Sequence, residues 1–371
     1  MKLKVVELFA GIGSQHQALD NIGADFEIVA TSEWSVNSLI SYDLVHHQKR
    51  ECVLSKDQII EELKKFTFSL DHKKPINISK LSEKTLRMLY VANWNNKNMG
   101  SIIDIKGRDF PDHDLLTYSF PCQDLSIMGK KKGLYDGKTS SLLWEVGRVL
   151  NELKEEGRLP KYLLMENVPT IMGKANNEGF SAWKDQLKEM GYHNWAFKLK
   201  SSYFGIPQNR ERAFLVSILN GNSEDFTVPV QTKLTPLRIK DIMVESVDEE
   251  RFYAKDILKY FPTNLNVSHS VNGLRRFMLT KQGGFDTEKR IYHLDSIAPT
   301  IMGGSTRVKI LLPSGRVRFL VARECWRLMG FKDEQFDKVD GVFDNNELIK
   351  MAGNSIVVNV LESVFKNILK I

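Results

Sequence analysis

Cysteine is scarce in this sequence: Cys52, Cys122 and Cys325 are the only three among 371 residues. So few, so far apart and odd in number, they fit neither a disulfide framework nor the paired spacing of zinc ligands. No structural metal is expected. Long apolar runs are missing too, since no uninterrupted stretch approaches the roughly 20 residues of a membrane-spanning helix. The first residues, Met1 to Glu7, run straight into a strand-like segment without the apolar region and small-residue cleavage site of a secretory signal. A cytoplasmic protein with no membrane partner is the expectation. Internal repeats and low-complexity tracts are absent. Charge of one sign does not dominate, and a net charge of +6 permits a polyanionic partner without requiring one.

What is present is the composition of an ordinary globular protein, 42% hydrophobic and 26% charged. The chain is longer than one hydrophobic core usually organises, so a large and a smaller domain are expected. Lys2 to Phe9 reads as a buried strand, Ala10 to Gly13 as a tight turn, Ser14 to Ile22 as a helix and Phe26 to Thr31 as a second strand. Further strands are expected at Asp114 to Phe120, Lys161 to Glu166 and Arg212 to Ile218, separated by helices at Leu142 to Leu153 and Phe180 to Met190. This alternation predicts an α/β fold, a doubly wound, mostly parallel sheet with ligands at the carboxyl ends of its strands. Residues 43–100 break the pattern with helical pieces at Asp57 to Phe66 and Leu81 to Tyr90, and read as an insertion. From 221 to 320 short β-type runs with turns predict a smaller, mainly β domain. A helical tail containing Val360, Leu361, Val364 and Phe365 returns the chain to the sheet. The large domain is therefore expected over 1–220 and 321–371.

Several segments carry chemistry. Phe9-Ala10-Gly11-Ile12-Gly13 joins a strand to a helix, where glycine lets the backbone approach a ligand; it lacks the third glycine of the dinucleotide fingerprint, and alone it needs no ligand. Glu33 and Trp34 end the second strand, where an acid can grip a ribose diol and an indole can cover a base, although a surface carboxylate beside a tryptophan reads equally well. Asp104-Ile105 follows the insertion and is either a base contact or a turn. Phe120-Pro121-Cys122-Gln123 ends a strand and is followed by the basic loop Gly129-Lys130-Lys131-Lys132-Gly133, which would favour a thiolate, whereas a lone cysteine is usually buried and inert. Glu166-Asn167 ends the next strand, and Gln208-Asn209-Arg210-Glu211-Arg212 precedes another; singly, such charges are most often surface ion pairs. Their convergence on one sheet edge is the informative feature.

In this order the segments resemble the C5-cytosine-specific DNA methyltransferases of the bacterial restriction-modification type, most clearly in Phe-Pro-Cys-Gln and Glu-Asn-Val. The likeness runs from residue 5 to residue 365, and Arg323 to Phe331 and Gly353-Asn354-Ser355 are similar to the family's last two motifs. The resemblance implies a methyltransferase fold with a target-recognition domain over 221–320. It implies S-adenosylmethionine as methyl donor, S-adenosylhomocysteine as product, and no metal. Cys122 is the implied nucleophile toward a flipped-out cytosine in duplex DNA, with Glu166, Arg210 and Arg212 stabilising charge and Gln123 and Asn167 beside them. The implied cofactor residues are Phe9, Ala10, Gly11, Ile12, Gly13, Glu33, Trp34, Asp104, Ile105, Pro121, Leu142, Asn354 and Ser355. DNA contacts are expected from Ser126, Met128, Gln208, Arg275, Arg276, Lys281, Lys289, Arg290 and Thr300, the last within a Thr-Ile pair similar to the family's Thr-Leu.

A monomer in a bacterial or phage-encoded setting is implied, with a separate restriction endonuclease as a candidate partner. Ile103 stands where the family often has Gly, and Ala322 where Pro is frequent; neither touches the chemistry. The insertion contacts DNA, buttresses the cofactor pocket or decorates the surface, and the sequence leaves these three open. Three rivals are weaker. A transfer-RNA methylating relative would carry a cysteine between Cys122 and Cys325, a catalytically dead relative would have lost Cys122, Glu166 or the arginines, and a nicotinamide oxidoreductase would show the missing glycine.

Overall fold

The protein is described from a computed structural model covering residues 2–121, 141–232, 237–247, 250–254, 268–269, 273–280, 286–304 and 307–371. It divides into two compact units, one of residues 1–199, 211–229 and 361–371, the other of residues 200–210 and 230–360.

In the first unit, six strands form one sheet among the described residues. They are β1 (Leu3–Leu8), β2 (Phe26–Ser32), β3 (Leu115–Tyr118), β4 (Tyr162–Asn167), β5 (Tyr192–Lys200) and, after a short β6 (Gln208–Asn209) outside it, β7 (Glu211–Leu219). Their spatial order is β2-β1-β3-β4-β7-β5. β1 pairs in parallel with β2 and β3, and β3 with β4. The reading of a mostly parallel α/β sheet is therefore correct, with one change: β7 runs antiparallel to β4. The chain leaves β4 through a helix to the edge strand β5 and returns as β7 between them. β5 escaped sequence reading because its run, Tyr-His-Asn-Trp-Ala-Phe-Lys-Leu-Lys, is only half buried and mixes polar with apolar residues.

The helices of this unit are α1 (Ser14–Asn21), α2 (Val36–His46), α3 (Lys56–Leu63), α4 (Glu83–Asn95), α5 (Leu142–Glu155) and α6 (Asn177–Glu189). On α5, Leu143, Val146, Val149, Leu150 and Leu153 recur at helical spacing and are wholly buried, facing Leu116 and Leu163 of the sheet and Trp183 of α6 in one core. Trp183 donates its indole N–H to the buried Tyr118 hydroxyl at 3.2 Å, so the polar tip of each large ring is satisfied inside the core. α2 was not anticipated. It is capped by Ser35, whose hydroxyl accepts the Ser38 amide at 3.3 Å. α3 and α4 are the helical pieces expected of the insertion; α4 packs against both α2 and α3.

Among the described residues, the second unit holds a five-stranded sheet, β13-β12-β10-β9-β8, built from β8 (Ser268–His269), β9 (Arg275–Met278), β10 (Arg290–His293), β12 (Lys309–Leu311) and β13 (Val317–Phe319), with β11 (Ala298–Pro299) paired to β6. Phe277, Leu279, Ile291 and Val317 form its core. The expected domain boundary at 321 does not coincide with this division, because residues 321–360 join the β unit. They include α7 (Ala322–Arg327), α8 (Asp333–Asp337) and α9 (Asn345–Asn354). A buried pair links this segment to the sheet: Glu324, wholly inaccessible, takes both guanidinium nitrogens of Arg318 on β13 at 2.6 and 2.9 Å. Most of the last helix, α10 (Val358–Leu369), belongs to the first unit, from Leu361 onward.

Candidate active site

The turn after β1 is built by backbone geometry that ordinary residues resist. Phe9, Gly11 and Gly13 have φ of 56°, 58° and 78°, and Gly13 opens α1 without a side-chain cap. Beside Gly11 the space is open, since an added Cβ would meet only the Phe9 carbonyl oxygen, at 4.0 Å. Glu33, which is 8% exposed, closes the turn from the end of β2. One carboxylate oxygen accepts the Gly11 amide at 2.9 Å, and the other accepts the amides of Trp34 and Ser35, each at 2.8 Å. Three backbone donors thus fix the carboxylate, while two lone-pair oxygens have room for about four bonds in all. A largely buried backbone turn, open beside Gly11, next to an acid with spare acceptor capacity fits the sulfonium-linked nucleoside expected here.

The insertion turns out to hold this acid from behind. The Glu33 amide donates to the Asn98 side chain at 3.0 Å, and Asn98 in turn donates to Asn93 at 2.9 Å. Ser32 donates its hydroxyl to the Gly100 carbonyl at 2.7 Å, and Ser69 brackets the next residues, donating its amide to Trp34 and accepting that of Val36. Of the three readings left open, the buttress is the one with contacts to support it. Nothing in the sequence singled out Asn98 or Ser69, because a buried amide acting on a distant backbone leaves no periodic signal.

Asp104 and Ile105 separate. Asp104 lies exposed in a turn, whereas Ile105 is 3% exposed and packs in the core. Its carbonyl accepts Arg148 at 2.8 Å. Leu142 starts α5, and Pro121 ends the described segment before it.

At the carboxyl end of β4 two expected residues meet: the Arg212 Nε lies 3.1 Å from a carboxylate oxygen of Glu166, with both side chains largely buried. Asn167 next to it donates to the Phe120 carbonyl at 3.0 Å, fixing the chain two residues before Cys122. Cys122, Gln123, Ser126, Met128 and Lys281 lie outside the described residues. Among the described residues, no group of three or more His, Cys, Asp or Glu side chains could hold a metal.

Other expected site residues are spent elsewhere. Gln208, expected at DNA, is wholly buried; its amide donates to the Leu328 carbonyl at 2.7 Å and its oxygen accepts the Ile301 amide at 2.9 Å. In this structure its side chain is turned into the fold. Arg210 likewise aims into the second unit, donating to the carbonyls of Ile301, Gly353 and Ser355. Thr300 gives its hydroxyl to the Asn209 carbonyl at 2.6 Å. Asn354 ends α9 exposed and Ser355 follows it, both in the second unit. On the β sheet, Arg276 stands opposite Tyr292, and Arg290 lies two residues from Tyr292 on the same strand. Arg276 and Arg290 therefore share one face, and Arg275 takes the other. Lys289 ends the short helical turn before β10.

Residues 63–370 match the family described as C-5 cytosine-specific DNA methylase. The chain is 38% identical to the type II methyltransferase M2.ScrFI of Lactococcus lactis subsp. cremoris, over 99% of both chains. It is 34% identical to the orphan methyltransferase M.SssI of Spiroplasma monobiae, over 99% of this chain and 97% of that one. The solved structure of the S. pombe Dnmt2 methyltransferase shares the fold at a TM-score of 0.65 and 20% identity, covering 100% of this chain and 99% of its own. The chain belongs to the C-5 cytosine-specific DNA methylase family, and it methylates cytosine in DNA at carbon 5.

Proposed function

We propose that Cys122 is the nucleophile of this reaction and that Glu166 and Arg212 are its charge-stabilising partners. Cytosine C5 is a poor nucleophile, and a thiolate bonded to C6 turns the ring into an enamine whose C5 attacks an electrophilic methyl group. Glu166 hydrogen-bonds cytosine N3 and Arg212 the carbonyl oxygen, where negative charge develops in the ring. After the methyl is gained, the C5 proton leaves to a base, the C6–S bond breaks and the thiolate is restored. The observation that carries this reading is the Glu166–Arg212 pair at the end of β4, beside an Asn167 that fixes the Phe120 carbonyl.

S-adenosylmethionine, when bound, supplies that methyl group on a positively charged sulfur. Glu33, the turn from Phe9 to Gly13 and Trp34 are the residues that would hold it, Glu33 through its ribose hydroxyls and Trp34 through its adenine. The target base leaves the duplex to reach the pocket, since stacking blocks both ring faces. Arg276 and Arg290, on one face of the second unit, suit phosphate contacts of the target-recognition unit. The protein works as a cytoplasmic monomer, either solitary or beside a separate restriction endonuclease. The test is Cys122→Ser: transfer of labelled methyl to duplex DNA disappears while S-adenosylmethionine still binds. Retained transfer would overturn the assignment.

A further inference from the structure

Behind the Phe9–Gly13 turn lies a cluster of titratable side chains that the reaction does not use. On β1, Glu7 is fully buried, and burial pushes its carboxyl up to about 7. Tyr42, on α2 and 1% exposed, donates its hydroxyl to Glu7 at 2.7 Å. That proton being committed, the Tyr42 oxygen accepts from His16 Nδ1 at 3.0 Å. Burial pushes the His16 imidazole down to about 3, so it stays neutral with its proton on Nδ1. His16 stacks on His46, with ring centroids 4.2 Å apart. His46 Nε2 lies 3.1 Å from the Ile12 carbonyl, and because a carbonyl only accepts, that nitrogen carries a proton and donates.

The same rings enforce the shape of the turn sterically. A Cβ at Gly13 would lie 2.7 Å from His46 Cδ2 and 2.8 Å from Tyr42 Cε2, so α2 is packed against the bare α-carbon that opens α1. α2 thereby grips the turn twice, by a hydrogen bond at Ile12 and by contact at Gly13. The chain Glu7–Tyr42–His16 fixes the rings that do it, and none of its members faces the open side at Gly11.

We propose that His46 is a positioning residue for the methyl-donor turn: by holding the Ile12 carbonyl it keeps Phe9 to Gly13 in the shape that receives S-adenosylmethionine. This rests on reading that turn as the donor site. A Gln side chain places an amide N–H close to where His46 Nε2 stands, and Leu fills similar space without a donor. The test measures KM for S-adenosylmethionine and for DNA in His46→Gln and His46→Leu, with thermal melting to confirm folding. Loss of one hydrogen bond predicts that His46→Leu raises KM for S-adenosylmethionine about tenfold, while kcat and KM for DNA stay near the parent values. His46→Gln returns the donor KM toward the parent. An unchanged donor KM in His46→Leu, or equal impairment in both variants, overturns the proposal. Glu33→Ala separates the two ideas. If it too leaves donor binding unchanged, the reading of the turn fails; if it alone weakens binding, only the role of His46 does.

Discussion

Two arginines two residues apart meet opposite fates. Arg212, on β7 in the first unit, reaches Glu166 at 3.1 Å at the end of the sheet. Arg210, in the second unit and 4% exposed, gives its guanidinium to the carbonyls of Ile301, Gly353 and Ser355. One charge sits beside a carboxylate; the other ties the loop at Ile301 to the end of α9 at Gly353 and Ser355. Gln208 sides with Arg210, saturated by Leu328 and Ile301. Two arginines of one five-residue segment thus divide between a carboxylate and a set of backbone carbonyls. What separates them is the number of backbone groups each must satisfy, which no inspection of Gln-Asn-Arg-Glu-Arg reveals.

The contrast can be broken by experiment. The largest effect belongs to Arg212→Met, which on the proposed role should lower kcat by about 10²–10³, with some loss of melting temperature because Glu166 is left largely buried without this partner. Arg210→Met should act in the other currency: three carbonyls lose their donors in a buried place, costing about 3 kcal/mol of stability read by denaturant unfolding. Should Arg210→Met instead abolish turnover at parent stability, the division between the two arginines is wrong. A smaller effect is expected from Asn98→Leu, which strands the Glu33 amide and should raise KM for S-adenosylmethionine about fivefold. An unchanged KM there would reduce the insertion to decoration.

Much of the first unit was legible in the sequence, and for identifiable reasons. β1, β3 and α5 announce themselves because their buried faces are continuous or regularly spaced, and Glu33, Glu166 and Asn167 sit at strand ends where chain order alone places functional groups. β5 and α2 were not legible. β5 is an edge strand with one wetted face, and α2 is polar enough through Asn37, Ser38, Ser41 and Asp43 to read as loop. The reversal of β7 was hidden because strand direction depends on partners far along the chain. Among site residues, the burial of Gln208 was not legible because a polar side chain near a motif reads as solvent-facing; Arg318–Glu324 shows how far the second unit buries such groups. His46 and Asn98 act through backbone atoms of other segments, so composition carries no trace of them.

The central assignment is most directly tested by incubating the protein with S-adenosylmethionine and duplex DNA carrying 5-fluorocytosine, then mapping the covalent adduct by peptide mass spectrometry. Fluorine at C5 cannot leave as a proton does, so the enzyme is held on C6 after methyl transfer. The three cysteines make the result unambiguous. An adduct confined to the peptide containing Cys122 is expected. An adduct at Cys52 or Cys325, or none on DNA that the protein methylates, would contradict it.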